Sequence, residues 1–256
     1  MTHDMAKKPQ HLTWAFWRSL INAGLLALVI RFLILSPFVI PSGSMIPTLW
    51  VGDYLFVSCF SYGYSKYTLP FGYKLSGLKG RLLDFKKPNR GDIVVFRPAY
   101  NTKMDYVKRV IAVAGDQVQV QDGQIYINGE GATLEKLQPF DERADENGDH
   151  VRGTLYKETL PGGATHTVLK KHPLGQGHYD NTPLWTVPPG HIFVMGDNRD
   201  GSMDSRSMHT IGFVGHNYLI GTPLITFFSL DAEARWWELW KWPWAVRLRR
   251  MLNLIR

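Results

Sequence analysis

Four short segments of the chain carry side chains that could do hydrolytic chemistry. They are IPSGSMIPTL (40–49), RGDIVVFRP (90–98), DYVKRVIAVAGD (105–116) and GDNRDGSMDSR (196–206). A hydroxyl nucleophile needs a base to accept its proton. None of the nine histidines lies in these segments, no Asp/His pairing is evident around Ser44, and the chain has no HExxH metal motif. Lysine is therefore the candidate base.

A lysine can serve as a base only where its ammonium form is destabilised. The pKa of a free lysine is about 10.4, and burial can lower it by several units. Around Lys108 the side chains alternate between two strand faces. One face holds Tyr106, Lys108 and Val110, and the other holds Val107 and Arg109. Alternation alone allows either Lys108 inward with Arg109 solvated, or the reverse.

Taken together, the four segments resemble the sequence boxes of bacterial type I signal peptidases. They occur in the order of that family, after an apolar N-terminal stretch, and the match is weakest over 120–186 and the C-terminal tail. The resemblance implies a membrane-bound serine endopeptidase with a Ser/Lys dyad that removes signal peptides from exported preproteins after small residues. The chain departs from the family pattern at Gly215, where proline is usual, and has one N-terminal span rather than two.

The resemblance also assigns roles within the nucleophile segment and its base. It implies that Ser44 is the nucleophile and Lys108 the general base, which favours the Lys108-inward alternative. The hydroxyl of Ser42 and the backbone N–H of Ser44 would form the oxyanion hole. Gly43 between them would let the substrate carbonyl approach closely.

Further residues are implied in the loop 196–206 and in the substrate pocket. Ser202 resembles the serine that hydrogen-bonds and orients the lysine, and Asp204 with Arg206 resembles a structural ion pair. The pocket for small side chains would be lined by Phe38, Ile40, Met45, Val95, Tyr106 and Val107. We expect no metal and no cofactor.

The N-terminal apolar stretch is predicted to be a transmembrane helix. From Trp14 to Leu35 it has 22 residues, about 33 Å of helix against a hydrocarbon core of roughly 30 Å. A cleavable signal peptide or a buried helix is the alternative, but no Ala-x-Ala-like site follows. Arg31 lies near the far end of the span and can extend outward to the interface.

The residues around the span predict its orientation. Basic residues precede it and tryptophans mark its start: Lys7, Lys8, Arg18, Trp14 and Trp17. By the positive-inside rule, residues 1–13 are cytoplasmic. The remainder would then lie on the extracytoplasmic, periplasmic face of the bacterial cytoplasmic (inner) membrane.

The pattern beyond the span is typical of a mostly β protein. Short β-branched runs alternate with Gly, Pro, Asn and Asp turns, and no long amphipathic helix or repeat interrupts them. The predicted regions are a catalytic β domain (36–119 and 187–230), an inserted β subdomain (120–186) and a basic, Trp-rich tail (231–256). The aromatic segment 61–85 is either a surface loop or a ribbon near the bilayer.

The C-terminal tail is predicted to form an amphipathic helix in the membrane interface. After Pro243 its apolar helical face would hold Trp244, Leu248, Met251, Leu252 and Ile255. The opposite face would hold Arg249, Arg250, Asn253 and Arg256. The alternative is that this helix packs its apolar stripe against the catalytic domain.

Charge and cysteine content exclude other classes of protein. The net charge of +7 is concentrated at the two ends, with +3 in residues 1–35 and +3 in residues 231–256. These ends are also rich in Trp and aliphatic residues, which fits a phospholipid membrane better than nucleic acid. Cys59 is the single cysteine, so no internal disulfide is possible, and we interpret it as a buried apolar filler.

Two other functions remain as alternatives at this point. One is a different Ser/Lys peptidase, such as an enzyme that processes conjugation pilins. The other is an inert, membrane-tethered β binding module, in which Ser44 merely fills a turn and Lys108 a strand.

Overall fold

The structure is a computed structural model that describes residues 10–68, 81–143, 150–231 and 238–255. Most of the predicted cytoplasmic N-terminus, and the middle of the aromatic segment 61–85, lie outside these ranges.

The N-terminal helix leads directly into the first strand. Helix α1 (Gln10–Val29) continues as a π-helical turn (Ile30–Ile34) and then as strand β1 (Leu35–Val39). The 21 residues Trp14–Ile34 are long and apolar enough to cross a membrane, and none is buried against the body. The predicted apolar span is therefore present, but Leu35 at its end belongs to β1.

The body of the protein is built mostly of strands, which confirms the predicted fold class. After β1 they are β2 (Asp53–Ser58), β3 (Gly63–Ser65), β4 (Arg81–Asp84), β5 (Ile93–Phe96), β6 (Tyr106–Val113), β7 (Gln117–Gln121), β8 (Gln124–Ile127), β9 (Glu130–Gly131), β10 (Thr133–Arg143), β11 (His150–Thr159), β12 (Thr165–Lys170), β13 (Trp185–Thr186), β14 (His191–Met195), β15 (Val214–Gly215), β16 (Leu219–Ser229) and β17 (Asn253–Leu254). Short 3-10 turns lie at Gly43–Met45, His216–Tyr218, Leu239–Lys241 and Leu248–Arg250, and helix α2 is Trp242–Ala245.

The main sheet positions the site. Its strand order is β1-β2-β16-β5-β6-β14-β15, with β17 on β16, and neighbouring strands are antiparallel. The apolar run of β5 is buried on both faces, as expected for a strand inside the core. Ile93 and Val95 pack in the cluster around Met45, whereas Val94 and Phe96 pack on the other side.

Two smaller sheets lie in and around the predicted insertion. One has the order β13-β7-β8-β9 and the other the order β10-β11-β12. The second sheet contacts the loop 196–206: the Leu169 N–H donates to the Asp197 carbonyl at 2.8 Å, and the Arg199 N–H donates to the Leu169 carbonyl at 2.9 Å. The boundaries 120–186 remain a prediction.

The predicted C-terminal helix is wrong. The segment instead forms α2, a 3-10 turn and β17, which pairs with β16 at Ile225 and Thr226. Leu252 has a positive φ of 59°, which a helix does not accept. The Arg250 guanidinium lies 2.6 Å from a carboxylate oxygen of the buried Asp53. These tertiary contacts outweigh the local helical periodicity.

Packing of the tail leaves several large apolar side chains exposed. Trp244, the most exposed of them at 85%, is joined by Leu248, Leu252 and Leu254. The tail is attached through its arginines and its backbone, and also through Ile255, which packs against the core cluster of Met45, and Trp242, whose ring lies 5.3 Å from that of Phe228. It corresponds to neither of the two helical alternatives, because the predicted helix does not form.

Candidate active site

The candidate nucleophile lies in a tight turn between β1 and β2. Ser44 is the middle residue of the 3-10 turn and is half-buried, while Ser42 before it is extended and exposed. The turn is anchored because Met45 and Leu49 are buried, with the Leu49 N–H donating to the Met45 carbonyl at 2.9 Å. The first N–H groups of a single 3-10 turn have no partner within it. The Ser44 N–H is one of these.

The side chain of Lys108 reaches this turn from β6. Its Nζ donates a hydrogen bond to Ser44 Oγ at 2.5 Å. The residue is only 2% exposed. Burial lowers the pKa of Lys108 to about 8, although Asp204 and Asp197 oppose this shift. A substantial fraction of Lys108 is therefore neutral in mildly alkaline solution.

Arg109 is buried rather than solvated, so that part of the sequence interpretation is wrong. Strand β6 lies between two packed layers, and Arg109 is 2% exposed. Its Nε and Nη2 donate to the two carboxylate oxygens of Asp197 at 2.9 and 2.8 Å. Burial is the largest single effect and favours the neutral acid, but the charge and hydrogen bonds of Arg109, together with smaller contributions from His166 and Thr48, outweigh it and lower the pKa of Asp197. Thr48 Oγ1 also donates to this carboxylate, at 2.5 Å.

Ser202 is brought close to the nucleophile turn. A Cβ built on Gly196 would lie 2.3 Å from Ser202 Oγ and 2.5 Å from the Ser44 carbonyl oxygen, so both residues border Gly196. Among the described residues, however, the buried Ser202 hydroxyl has no hydrogen-bond partner. The hydrogen bond to Lys108 that the resemblance implies is not formed.

Asp204 and Arg206 form a buried ion pair, with Arg206 Nη2 2.8 Å from Asp204 Oδ2. Arg206 Nη2 also donates to the Arg199 carbonyl at 2.6 Å, and the Gly196 N–H donates to Asp204 Oδ2 at 3.1 Å. Burial is the largest single effect and opposes ionisation of Asp204, but the charge and hydrogen bonds of Arg206, together with the Gly196 N–H and the Lys108 charge, outweigh it and lower the pKa of the carboxyl. These contacts hold the loop 196–206 beneath Lys108.

A cavity of about 300 Å³ opens beside Ser44 and Lys108. Its wall contains five of the six predicted pocket residues, namely Phe38, Ile40, Met45, Tyr106 and Val107, together with Ser42. Val95 lies in the core cluster that contains Ile40 and Met45, and it is fully buried. The sequence interpretation missed Val39, Pro41, Met104 and Asp105, which also line the cavity.

The sequence interpretation also missed the contacts of Asn198. Its side chain is buried and its Nδ2 donates to the Gly43 carbonyl at 3.0 Å. In the sequence, only the position of Asn198 inside the segment 196–206 could have indicated that this residue belongs to the site. Within the described ranges, no group of three or more His, Cys, Asp or Glu side chains could hold a metal ion.

A serine hydroxyl beside a buried amine, at the edge of a small apolar cavity, is an arrangement suited to a serine hydrolase. The comparisons narrow this class to the serine-type peptidases. The chain belongs to the signal peptidase family, peptidase S26, whose family model matches residues 13–228.

Signal peptidases I are among the curated relatives. That of Rickettsia typhi is 38% identical over 243 residues, covering 89% of this chain and 88% of the relative. That of Rickettsia massiliae is 37% identical over 252 residues, covering 93% and 91%. A crystal structure of a signal peptidase I from Enterococcus faecalis aligns with a TM-score of 0.30 and 26% identity, over 54% of this chain and 98% of that one. Family membership supports cleavage of signal peptides by a serine protease.

Proposed function

We propose that this chain is a membrane-bound serine endopeptidase that cleaves signal peptides from exported preproteins after small residues. Ser44 is the nucleophile and Lys108 the general base. The observation that carries the proposal is the 2.5 Å hydrogen bond between Lys108 Nζ and Ser44 Oγ. A buried amine at this distance can take the serine proton once it is neutral.

The reaction then proceeds in two halves. Neutral Lys108 accepts the proton of Ser44 as Oγ attacks the scissile carbonyl carbon, and the Ser44 N–H with the Ser42 hydroxyl stabilises the oxyanion. The lysine ammonium returns the proton to the leaving amine, and an acyl group remains on Ser44. Water, deprotonated by Lys108, hydrolyses this ester and regenerates both residues.

The selectivity for small side chains is part of this proposal and is supported by the family resemblance. The cavity beside the dyad, about 300 Å³ with Phe38, Met45 and Tyr106 in its wall, is at the low end for ligand pockets. Its apolar wall suits an apolar side chain such as that of alanine.

The placement of the site at a membrane is supported by the continuity between span and sheet. Strand β1 follows the apolar span without a linker. The nine residues from Ser36 to Ser44 have at most about 29 Å of reach between their ends. We propose that the N-terminus is cytoplasmic and that the body works on the periplasmic face of the inner membrane, on a signal peptide held in the bilayer.

The C-terminal tail supports the same placement. Its exposed Trp244, Leu248 and Leu252 form an apolar, aromatic surface of the kind that enters a lipid headgroup layer. We propose that this surface rests on the bilayer while Arg250 remains paired with Asp53. Phospholipid would thus be a partner of the tail as well as of the span.

The deciding experiment is to incubate the purified full chain with a preprotein and to map the new N-terminus. We expect one cut, after a small residue at the end of the signal peptide. Ser44→Ala and Lys108→Ala should each abolish it, while the matched controls Ser61→Ala and Lys157→Ala should cleave normally. Normal cleavage by either dyad variant would rule out the dyad, and cleavage only of a pilin-like substrate would reassign the enzyme.

A further inference from the structure

Asn198 joins the nucleophile turn to the loop that follows β14. The residue is 2% exposed. Its Nδ2 donates to the Gly43 carbonyl at 3.0 Å, and its own N–H donates to the Ser44 carbonyl at 3.1 Å. Its Oδ1 accepts a hydrogen bond from the Gly201 N–H at 3.1 Å. One side chain therefore contacts both segments, with donor and acceptor each used.

The backbone of Asn198 is held on both sides by buried ion pairs. Asp197 before it is paired with Arg109, and Arg199 after it is paired with Glu158. Burial raises the pKa of Glu158, but the charges and hydrogen bonds of Arg199 and His166 together outweigh this effect and lower the pKa to about 2. The pair thus stays ionised across the working range of pH. The carboxamide is consequently presented to the turn from a rigid support.

The hydrogen bond to Gly43 fixes the direction of a neighbouring donor. The Gly43 carbonyl and the Ser44 N–H belong to one peptide unit, which is trans. In a planar trans peptide these two groups point in opposite directions. Because Asn198 Nδ2 holds the Gly43 carbonyl towards the protein interior, the Ser44 N–H points the opposite way. This is the side from which the substrate must approach.

We propose that Asn198 is a positioning residue that orients the Ser44 N–H as an oxyanion donor. This inference rests on the proposed function, in which that N–H stabilises the tetrahedral intermediate. An oxyanion donor is effective because it is aimed before the charge develops. Without the carboxamide, the Gly43 carbonyl keeps, among the described residues, only the longer hydrogen bond from the Ile46 N–H, at 3.3 Å, so the peptide unit is less firmly oriented. Loss of the Asn198 carboxamide should therefore weaken stabilisation of the transition state and leave binding of the substrate in the ground state unchanged.

The first test is Asn198→Ala in the full chain. We expect kcat to fall about 10- to 100-fold, less than the ~10²–10³ for deletion of an oxyanion donor itself, with KM changed less than threefold. The pH midpoint of the rate should stay at the wild-type value, because Lys108 is not touched. Asn181→Ala is the matched control, since its Oδ1 accepts from the Asp122 N–H and the residue does not line the cavity beside Ser44, and it should cleave as wild type.

A second variant displaces the carboxamide without removing it. A Cβ on Gly201 would lie 2.5 Å from Asn198 Nδ2 and 2.8 Å from its Cγ. Gly201 has no positive φ that would strain an alanine. Gly201→Ala should therefore show the same kcat defect, at a similar unfolding temperature. If the Asn198→Ala variant is poorly folded, the Gly201→Ala variant provides the test of whether Asn198 is a positioning residue.

Ligand affinity separates an oxyanion role from a general loss of structure. A substrate-like peptide aldehyde adds to Ser44 and places its oxygen in the oxyanion hole, whereas the same peptide with a reduced scissile bond does not. The variants should lose affinity for the aldehyde only. Equal loss for both peptides, or wild-type kcat in both variants, would overturn the inference. Cleavage by Ser44→Ala would instead overturn the proposed function.

Discussion

Lys108 and Arg109 are adjacent basic residues on one strand and both are buried, but among the residues that the structure describes only Arg109 has a carboxylate partner in an ion pair. Arg109 makes a two-point ion pair with Asp197. Lys108 contacts Ser44 Oγ and forms no ion pair with a residue of the described ranges. An arginine stays charged at any working pH, whereas a buried lysine can lose its proton. The fold thus leaves the titratable cation, and not its neighbour, beside the serine.

The first prediction concerns the pH dependence of cleavage. Only neutral Lys108 can accept the serine proton, so the rate should rise with pH and level off above a midpoint near the pKa of about 8. Initial rates on a peptide substrate from pH 6 to 10 measure this, with Lys108→Ala as the blank. A midpoint above about 10, the value of a free lysine, would contradict the burial argument.

The second prediction separates Ser202 from the dyad. If Ser202 orients the amine, it must do so in the substrate complex, because its hydroxyl is unpartnered among the described residues of the free protein. Ser202→Ala should then lower kcat by about 10² to 10³, as for other positioning groups, while the alkaline rise persists. A variant that equals wild type at each pH would make Ser202 a turn residue.

The third prediction is that the buried Lys108 lowers the free energy of unfolding at neutral pH. Its pKa falls from 10.5 to about 8 on folding, so between these values the unfolded chain binds more protons and stability rises with pH. The gain is at most about 3 kcal/mol. Lys108→Met should therefore unfold at higher urea than wild type at pH 7.

The control for this stability prediction is a lysine on the surface. Lys157, half exposed beside Glu135, should give a methionine variant that unfolds at nearly the same urea concentration as wild type at pH 7. The Lys108→Met difference should shrink at pH 10. If it does not, the ammonium of Lys108 is not destabilised by folding.

The fourth prediction tests the orientation in the membrane. With the N-terminus in the cytoplasm, protease added to spheroplasts should digest the body beyond Ser36 and spare a tag on the N-terminus. Lysed cells serve as the control, in which both should be digested. A protected body in intact spheroplasts would reverse the orientation.

The fifth prediction tests the tail against lipid. In a Cys59→Ser background, a fluorophore on Trp244→Cys should be quenched by nitroxide lipids in reconstituted full-length protein. The matched site is Leu184→Cys, because Leu184 is also exposed, at 57%, and does not belong to the tail. Equal quenching at both positions would show that the tail has no special contact with the bilayer.

The prediction of this fold from the sequence was good where the signal was local. The apolar span depends on an unbroken run of residues, and the strands depend on alternation and turn residues, so both were recognised with small errors at their ends. The prediction of a C-terminal helix was wrong because contacts with residues distant in the sequence outweigh the local helical pattern. The ion pair of Arg250 with Asp53 joins positions 197 residues apart, which no local periodicity records.

The sequence by itself determined the chemical groups of the site: a serine in a glycine turn, a lysine in a strand and a loop of Asp, Arg and Ser. Only the tertiary structure decided how they are used. Both faces of β6 are buried in the fold, and there Arg109 forms an ion pair with Asp197 while Lys108 donates a hydrogen bond to Ser44. The fold also places Asn198 within hydrogen-bonding distance of Gly43, 155 residues away in the sequence. Such contacts depend on how sheets and loops pack, because a side chain's partner is set by position in space and not by spacing along the chain.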